Sequence, residues 1–431
     1  MDARLPIRLP SVKDYSHDAQ QLILATGLIA LSFFGVFSLL RSLYLLRLGF
    51  GPSYVGIYFA TGSLTFMAMG VPSGLLGQRL GTRTAMVIGA WITLFGMALM
   101  PTMVMLAPRF SHIWPLVSQV VMTIGWSMVN VNTVPALMAV THERNRSSAY
   151  ALTSALRGIG TLGGTLLGGA LPDTLARLTG RSVDAPEPYG YALLVGAALG
   201  LIALPSFISI RGGQRVRQGE ASPQARGPFP LLLVATMIAH VFLRHMGWTT
   251  CQAFCTPYMD TELHISTAAI GSITGAGQVA AIAVAFLIPS LCRRWHHGWI
   301  VAASTAIQAG SVALLSLIPH WGAVAVGLLG VQMSTSLWLP TLQIFQMEQV
   351  SEGWRGLAYG AVTMAMGSGF ATMSLFGGYT IETRGYPSLF ALGMVLSAAG
   401  AVVMWAISRS MTRRAAAQTI STMEASGESL A

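Results

Sequence analysis

Residues 143–169 read ERNRSSAYALTSALRGIGTLGGTLLGG, and residues 352–378 read EGWRGLAYGAVTMAMGSGFATMSLFGG. A single shift of 209 residues places Glu143, Arg146, Ala149, Tyr150, Gly158, Gly160, Gly168 and Gly169 on Glu352, Arg355, Ala358, Tyr359, Gly367, Gly369, Gly377 and Gly378. Each copy is a charged loop followed by an apolar stretch with small residues at helical spacing. A second alignment, at a shift of 215, puts Leu48, Gly56, Gly62 and Arg79 on Leu263, Gly271, Gly277 and Arg294. Both ends of a long unit recur, so the chain reads as a duplicated architecture.

The chain has 431 residues, of which 53% are hydrophobic and only 9% charged. An average soluble domain is about 25% charged. The charges gather in short patches between twelve apolar runs: 22–46, 54–76, 86–107, 113–140, 149–171, 191–210, 230–255, 267–291, 299–318, 323–345, 357–380 and 387–407. Crossing about 30 Å of hydrocarbon takes about 20 helical residues, which most of these runs supply. They lack the alternation of a membrane barrel, which leaves helices as the spanning element. The expectation is an all-α membrane protein with twelve transmembrane helices in two pseudo-symmetric six-helix bundles, 1–210 and 229–409. A polar cytoplasmic linker, 211–228, joins them, and a disordered cytoplasmic tail, 410–431, follows.

Of the 25 basic residues, Arg41, Arg157 and Arg244 fall inside apolar runs. With the N-terminus cytoplasmic, seventeen of the others lie on that side and five on the opposite one. This bias predicts both termini in the cytoplasm and a multi-pass protein of the cytoplasmic membrane. The net charge of +10 then reports topology and contact with membrane lipid, and nucleic acid is not expected as a partner. Three cysteines, Cys251, Cys255 and Cys292, make neither a disulfide framework nor a CxxC metal site, and no cofactor or metal is expected. The first apolar run is longer than a signal-peptide core of about 7 to 15 residues and is expected to be retained.

The loop after the second run reads GLLGQRLGTR, residues 74–83. It resembles the signature G-x-L-x-D-R-x-G-R-R of the major facilitator superfamily. Gly74, Leu76, Arg79, Gly81 and Arg83 match, while Gln78 stands where the family has an acid and Thr82 where it has a basic residue. The resemblance implies a cytoplasmic latch built from Gly74, Gln78, Arg79, Gly81 and Arg83. The matching loops of the repeat, with Glu143, Arg146, Glu352 and Arg355, are assigned a gating or structural role. It also implies a cavity lined by the first, fourth, seventh and tenth helices, with alternating access around it. The fifth run carries Gly160, Gly164, Thr165, Gly168 and Gly169, similar to the antiporter pattern G-x-x-x-G-P-x-x-G-G of drug exporters. The same spacing also serves a close helix interface.

None of the fifteen acids lies in the middle of an apolar run. Arg157 lies eleven residues beyond Arg146, about 16 Å at 1.5 Å per residue, near the middle of the bilayer. Arg244 lies fourteen residues into the seventh run, about 21 Å by the same rise. On a helix, Met237, His240, Arg244, Gly247, Cys251 and Cys255 form one stripe, which should face a cavity or another helix. Arg244, Arg157, His240, Asn130, Arg41 and Gln278 are the candidate substrate-binding residues. With no buried acid, any proton coupling would run through His240 or His245. No nucleophile with a base and no nucleotide-binding loop appears, so an enzyme is not expected. The reading is a secondary transporter of a small organic anion or zwitterion, with a coupling ion or proton left open as a further partner. A multispecific drug exporter and a non-transporting, carrier-like receptor or assembly factor are the alternatives.

Overall fold

The computed structural model describes residues 15–105, 112–141, 146–210 and 230–426; the side chains of 104–105, 146–147, 352 and 414–426 are not among those described. The linker expected at 211–228 and Glu143 lie outside the described residues. Those described are helical with no strand. The helices are α1 (His17–Arg47), α2 (Pro52–Leu80), α3 (Thr82–Met103), α4 (Trp114–Val140), α5 (Arg146–Thr179), α6 (Pro186–Ser209), α7 (Leu231–Thr261), α8 (Thr267–Ala285), α9 (His297–Leu317) and α10 (Trp321–Gln349). The last helical stretch, Glu352–Ser426, is divided at Gly385 into α11 (352–384) and α12 (386–426).

Length and composition mark ten stretches among the described residues as able to cross a membrane, against twelve apolar runs in the sequence. Two local facts account for the difference. α11 and α12 register as one helix, although Gly385 interrupts it with φ of 80° just before Pro387. α5 is too polar to register, because it carries Arg157 and a run rich in glycine and threonine. α12 also runs on to Ser426, where a disordered tail was expected from 410. That segment contains Ala, Met, Arg and Gln, all good helix formers, and meets no glycine before Gly427.

Helix ends follow from local chemistry. Pro52, Pro115 and Pro186 stand in the first turns of α2, α4 and α6, where a missing N–H costs nothing. Gly81 closes α2 with φ of 87°, in the left-handed region that glycine enters without a Cβ penalty, and α3 begins at the next residue. This is the physical role of one glycine in the 74–83 loop. In the same loop Arg83 donates to the carbonyl of Ile208, whereas Gln78 and Arg79 are exposed and Gly74 only touches Val131.

The chain forms two compact units, residues Met1–Glu220 with Met259–Ala276, and Ala221–Tyr258 with Gly277–Ala431. In the first, the middle of α1 (Ala30–Phe37) winds as a π-helix, and Gly35 in it lies against Gly164 of α5. One turn away, a Cβ on Gly160 would collide with the carbonyl of Gly27, and Gly168 sits on Val36 and Leu39. Thus the antiporter-like glycines form a helix interface, in which small residues let backbones approach. In the second unit, Gly369 of α11 sits on the carbonyl of Phe242 in α7, and Gly377 on the ring of Phe254. The shifts of 209 and 215 that align the sequence carry Gly160 to Gly369, Gly168 to Gly377, Gly27 to Phe242 and Leu39 to Phe254. The duplication is therefore a duplicated contact between helices. The second unit packs beneath it a core of Met237, Val241, Val301, Trp338, Phe345 and Met404.

Replacing Gly160 or Gly369 by Leu forces these backbones apart and should cost about 1–3 kcal/mol each. Thermal unfolding in detergent should register this as a lower melting temperature for either variant. Gly70→Ala, at a helical position where an added Cβ meets nothing within 4 Å, should hold or raise it.

Candidate functional site

Arg244 is completely buried on α7, and its surroundings explain how a guanidinium is kept there. Its guanidinium carbon lies 3.9 Å from the centre of the Trp338 ring on α10, close enough for a cation–π contact that takes the place of part of the lost hydration. Nη2 donates to Thr335 Oγ1 at 3.3 Å, while Nε and Nη1 have no acceptor. No carboxylate pairs with it among the described residues. Its backbone is held as firmly as its head group. Gln308 Nε2 on α9 donates to the carbonyl of Arg244 at 3.0 Å and to Ser397 Oγ on α12 at 2.9 Å.

His240, one turn before Arg244, has both ring nitrogens engaged. Trp338 Nε1 donates to His240 Nε2 at 3.1 Å, which makes Nε2 the acceptor. Nδ1 must then carry the hydrogen that goes to the carbonyl of Gly400 at 2.8 Å. His240 is thereby a neutral imidazole that fixes the Trp338 ring under Arg244. His245 is less constrained: its ring lies 5.3 Å from both Trp248 and Trp338, and its Nδ1 has no partner. Trp248 Nε1 is likewise buried without an acceptor. Around Arg244 the unused polar atoms are mostly donors, with the buried Gln308 Oε1 as an unused acceptor. Gln278 of α8 is half-buried in the same unit.

The first unit holds a second arginine on an aromatic platform. Arg157 of α5 lies 4.5 Å from the Phe34 ring centre and 5.7 Å from that of Trp126. Phe33 stacks on Trp126 at 4.8 Å, and Phe34 meets it edge-on at 4.9 Å. Both phenylalanines come from the π-helical stretch of α1, whose wider winding sets them side by side against α4. Asn130, one turn after Trp126, is half-buried. Arg41 of α1 sits 4.5 Å over Phe59, with its Nε unpartnered. The three intramembrane arginines thus share one solution, an aromatic face in place of a carboxylate.

The gating residues stand apart from these platforms. Arg355 Nε donates to the carbonyls of Met347 and Val350, each at 3.1 Å, and so closes the end of α10. Arg146 opens α5 and Glu352 opens α11.

Sequence reasoning missed one cluster altogether. Arg47, at the end of α1, grips Asp260 near the end of α7 through two bonds of 2.7 and 2.8 Å, with the carboxylate only 5% exposed. Tyr189 of α6 lies 3.4 Å from the same guanidinium and 2.8 Å from Thr267 Oγ1 of α8. Gly271 of α8 packs on Gly169 of α5. These contacts are what make Met259–Ala276 part of the first unit. Arg47 and Asp260 are 213 positions apart, and each reads alone as a loop charge. Asn132 was also missed: it donates to the carbonyls of Ser73 and Met128 and fills the space that a side chain at Gly77 would need.

Comparison with known proteins follows this geometry. No curated protein matches the sequence. Among solved structures, the nucleoside transporter NupG superposes with a TM-score of 0.68 at 15% identity, covering 90% of this chain and 98% of that one. A D-xylose–proton symporter gives 0.69 at 14%, covering 90% and 97%. A POT family transporter in complex with 5-aminolevulinic acid gives 0.68 at 12%, covering 92% and 98%. At such identities the likeness is one of fold, two bundles of membrane-crossing helices. The family description of the Major Facilitator Superfamily matches residues 22–254 and again 237–424, once for each copy of the repeat, and the chain belongs to that superfamily.

Proposed function

We propose that this multi-pass membrane protein is a secondary transporter whose cargo is a small organic anion or zwitterion, received by Arg244. The observation that carries the reading is a fully buried guanidinium with two unused N–H groups and no carboxylate partner among the described residues. A charged side chain in the membrane interior is costly by at least a few kcal/mol. An anionic group that accepts from Nε or Nη1 offsets that cost through charge-assisted bonds, and each of the two forms with Nη2 a planar edge that suits a carboxylate. Gln308 Oε1, an unused acceptor in the same buried cluster, suits the ammonium or hydroxyl of a zwitterion or hydroxy acid. The solved structures of similar fold are named as a nucleoside transporter, a D-xylose–proton symporter and a POT family transporter in complex with 5-aminolevulinic acid, so the fold leaves the cargo's charge open and the reading rests on the arginine. Arg157, Asn130 and Arg41 in the first unit and Gln278 in the second are the further proposed cargo residues. His240 acts by positioning Trp338.

Alternating access requires a seal that can open. We assign that part to Arg47 and Asp260, whose paired charges fasten the end of α7 to α1 and α6 in this conformation. Orientation with both termini in the cytoplasm, from the arginine bias, puts this pair at the outer face.

Three outcomes test the proposal. Arg244→Lys keeps the charge and loses the fork, so binding of an anionic cargo, found by ligand-dependent thermal stabilisation, should weaken at least about tenfold. Arg244→Ala should abolish it while the protein remains folded by size-exclusion chromatography. A well-folded Arg244→Ala that binds as the parent does, or a cargo that proves cationic, overturns the reading. For the seal, Asp260→Asn should speed amide exchange at residues 48–51 and 261–265, because a half-broken ion pair holds less well. Unchanged exchange there would remove the pair from the gating role. If uptake is proton-driven, His245→Gln should flatten its pH dependence and His240→Asn should not, since both ring nitrogens of His240 are committed to Trp338 and Gly400.

A further inference from the structure

The second unit carries a groove of about 520 Å³ along α9 and α12, and none of the residues assigned to cargo lines it. It lies within the range of about 300–1,000 Å³ of built ligand sites. Trp295, Trp299, Ile307, Leu337, Val402 and Trp405 wall it. Ala303 and Ala306 also line it, and larger side chains there would take up its space. Its rim is exposed and apolar: Trp295 is 61% exposed and Val402 62%. Nothing in the wall is charged, so the ligand portion that fills it is hydrocarbon.

One end of the groove is basic. Arg293 and Arg294 sit between the lining residues Leu291 and Trp295, at the end of the short helix Ile288–Arg294. One turn beyond Trp405, Arg409 lays its guanidinium 5.0 Å over the Trp405 ring. All three arginines are exposed. The acid at this end of α10, Glu348, is taken up by His297 at 2.9 Å and does not neutralise them. Tryptophans at a membrane–water boundary with arginines just outside it match a lipid whose chain is apolar and whose head is negative.

We infer that this groove is a binding site for an anionic glycerophospholipid, one acyl chain lying along α9 and α12 and the phosphate held by Arg293, Arg294 and Arg409. The site is separate from the cargo site and does not depend on the cargo's identity.

The test uses the full chain purified in detergent, with phosphatidylglycerol and phosphatidylcholine of identical chains as probes. Native mass spectrometry should show phosphatidylglycerol retained with at least about tenfold preference, as three arginines near one anionic head group predict. The triple variant Arg293→Gln, Arg294→Gln, Arg409→Gln should lose the preference. Ala303→Leu with Ala306→Phe, which fills the groove and leaves the charges, should lose retention of both lipids. Melting temperatures without lipid, equal to the parent's, establish that each variant is folded; if the groove-filling pair fails to fold, Ala306→Leu alone gives the same readout. Equal retention of the two lipids, or an unchanged preference in the triple variant, overturns the assignment of the head group. Undiminished retention in the filled groove overturns the site, and so does a parent protein that runs as a dimer whose dissociation on groove filling shows a second copy to be the occupant.

Discussion

A guanidinium buried in the second unit with no carboxylate partner among the described residues is the constraint around which its interior is arranged. Desolvating Arg244 is tolerable only if something replaces water on each face of its plane and at each N–H. Trp338 covers one face at 3.9 Å, and Thr335 takes one hydrogen. The rest of the cluster serves those two contacts. His240 spends both nitrogens holding Trp338 and the Gly400 carbonyl, and Gln308 ties the Arg244 carbonyl to Ser397. Four helices, α7, α9, α10 and α12, are thereby pinned by one polar network in an otherwise apolar core. The donors left over are the part that structure alone does not satisfy, and that surplus is where chemistry with a ligand can begin.

The arginines and the glycines were legible in the sequence for different reasons. A charge inside an apolar run stands out by composition, because the membrane makes it expensive wherever it faces. Glycines at helical spacing, recurring at one shift, stand out by pattern, and their contacts prove to recur with them: Gly160 on Gly27, Gly369 on Phe242. What supports the arginines was not legible. Trp338 is 94 positions from Arg244 and looks like any apolar residue of the tenth run, until the fold lays its ring beneath the guanidinium. His240 read as a ligand because it shares the stripe with Arg244, whereas sharing a stripe says nothing of what faces it. Arg47 and Asp260 are a stronger case of the same blindness. Their pairing depends on the ends of α1 and α7 meeting, which no local pattern encodes.

A criterion of helix length and hydropathy passes over α5, although its apolar run, 149–171, is visible in the sequence. α5 is the helix with the closest backbone contacts to α1, and the glycines and threonines that permit them lower its hydropathy until it no longer resembles a membrane span. A helix that faces protein on one side and an arginine platform on another has little need to be greasy. Burial alone does not conceal a span, since α1, with 67% of its apolar window buried, remains strongly apolar; in α5 it is the small and polar residues of the interface that lower the hydropathy.

The two copies agree at their packing contacts and at several loop charges, and part company at the arginines inside their apolar runs. Under the shift that carries Gly27 to Phe242, Ile29 occupies the place of Arg244, and under the shift that carries Gly160 to Gly369, Met366 occupies the place of Arg157. Physical selection explains the difference. A close helix contact cannot drift, since one added side chain in either copy pushes two backbones apart. A charge can be lost from one copy at no cost to packing, and indeed at a gain, because each buried guanidinium must be desolvated. An arginine therefore persists only in the copy where something repays its burial. A small organic ion has no two-fold symmetry of its own and presents its charge to one side. On the proposed function, a duplicated scaffold that receives such a cargo keeps its symmetric contacts for motion and concentrates its asymmetry where the cargo binds, the places that Arg244 with Ile29 and Arg157 with Met366 would mark.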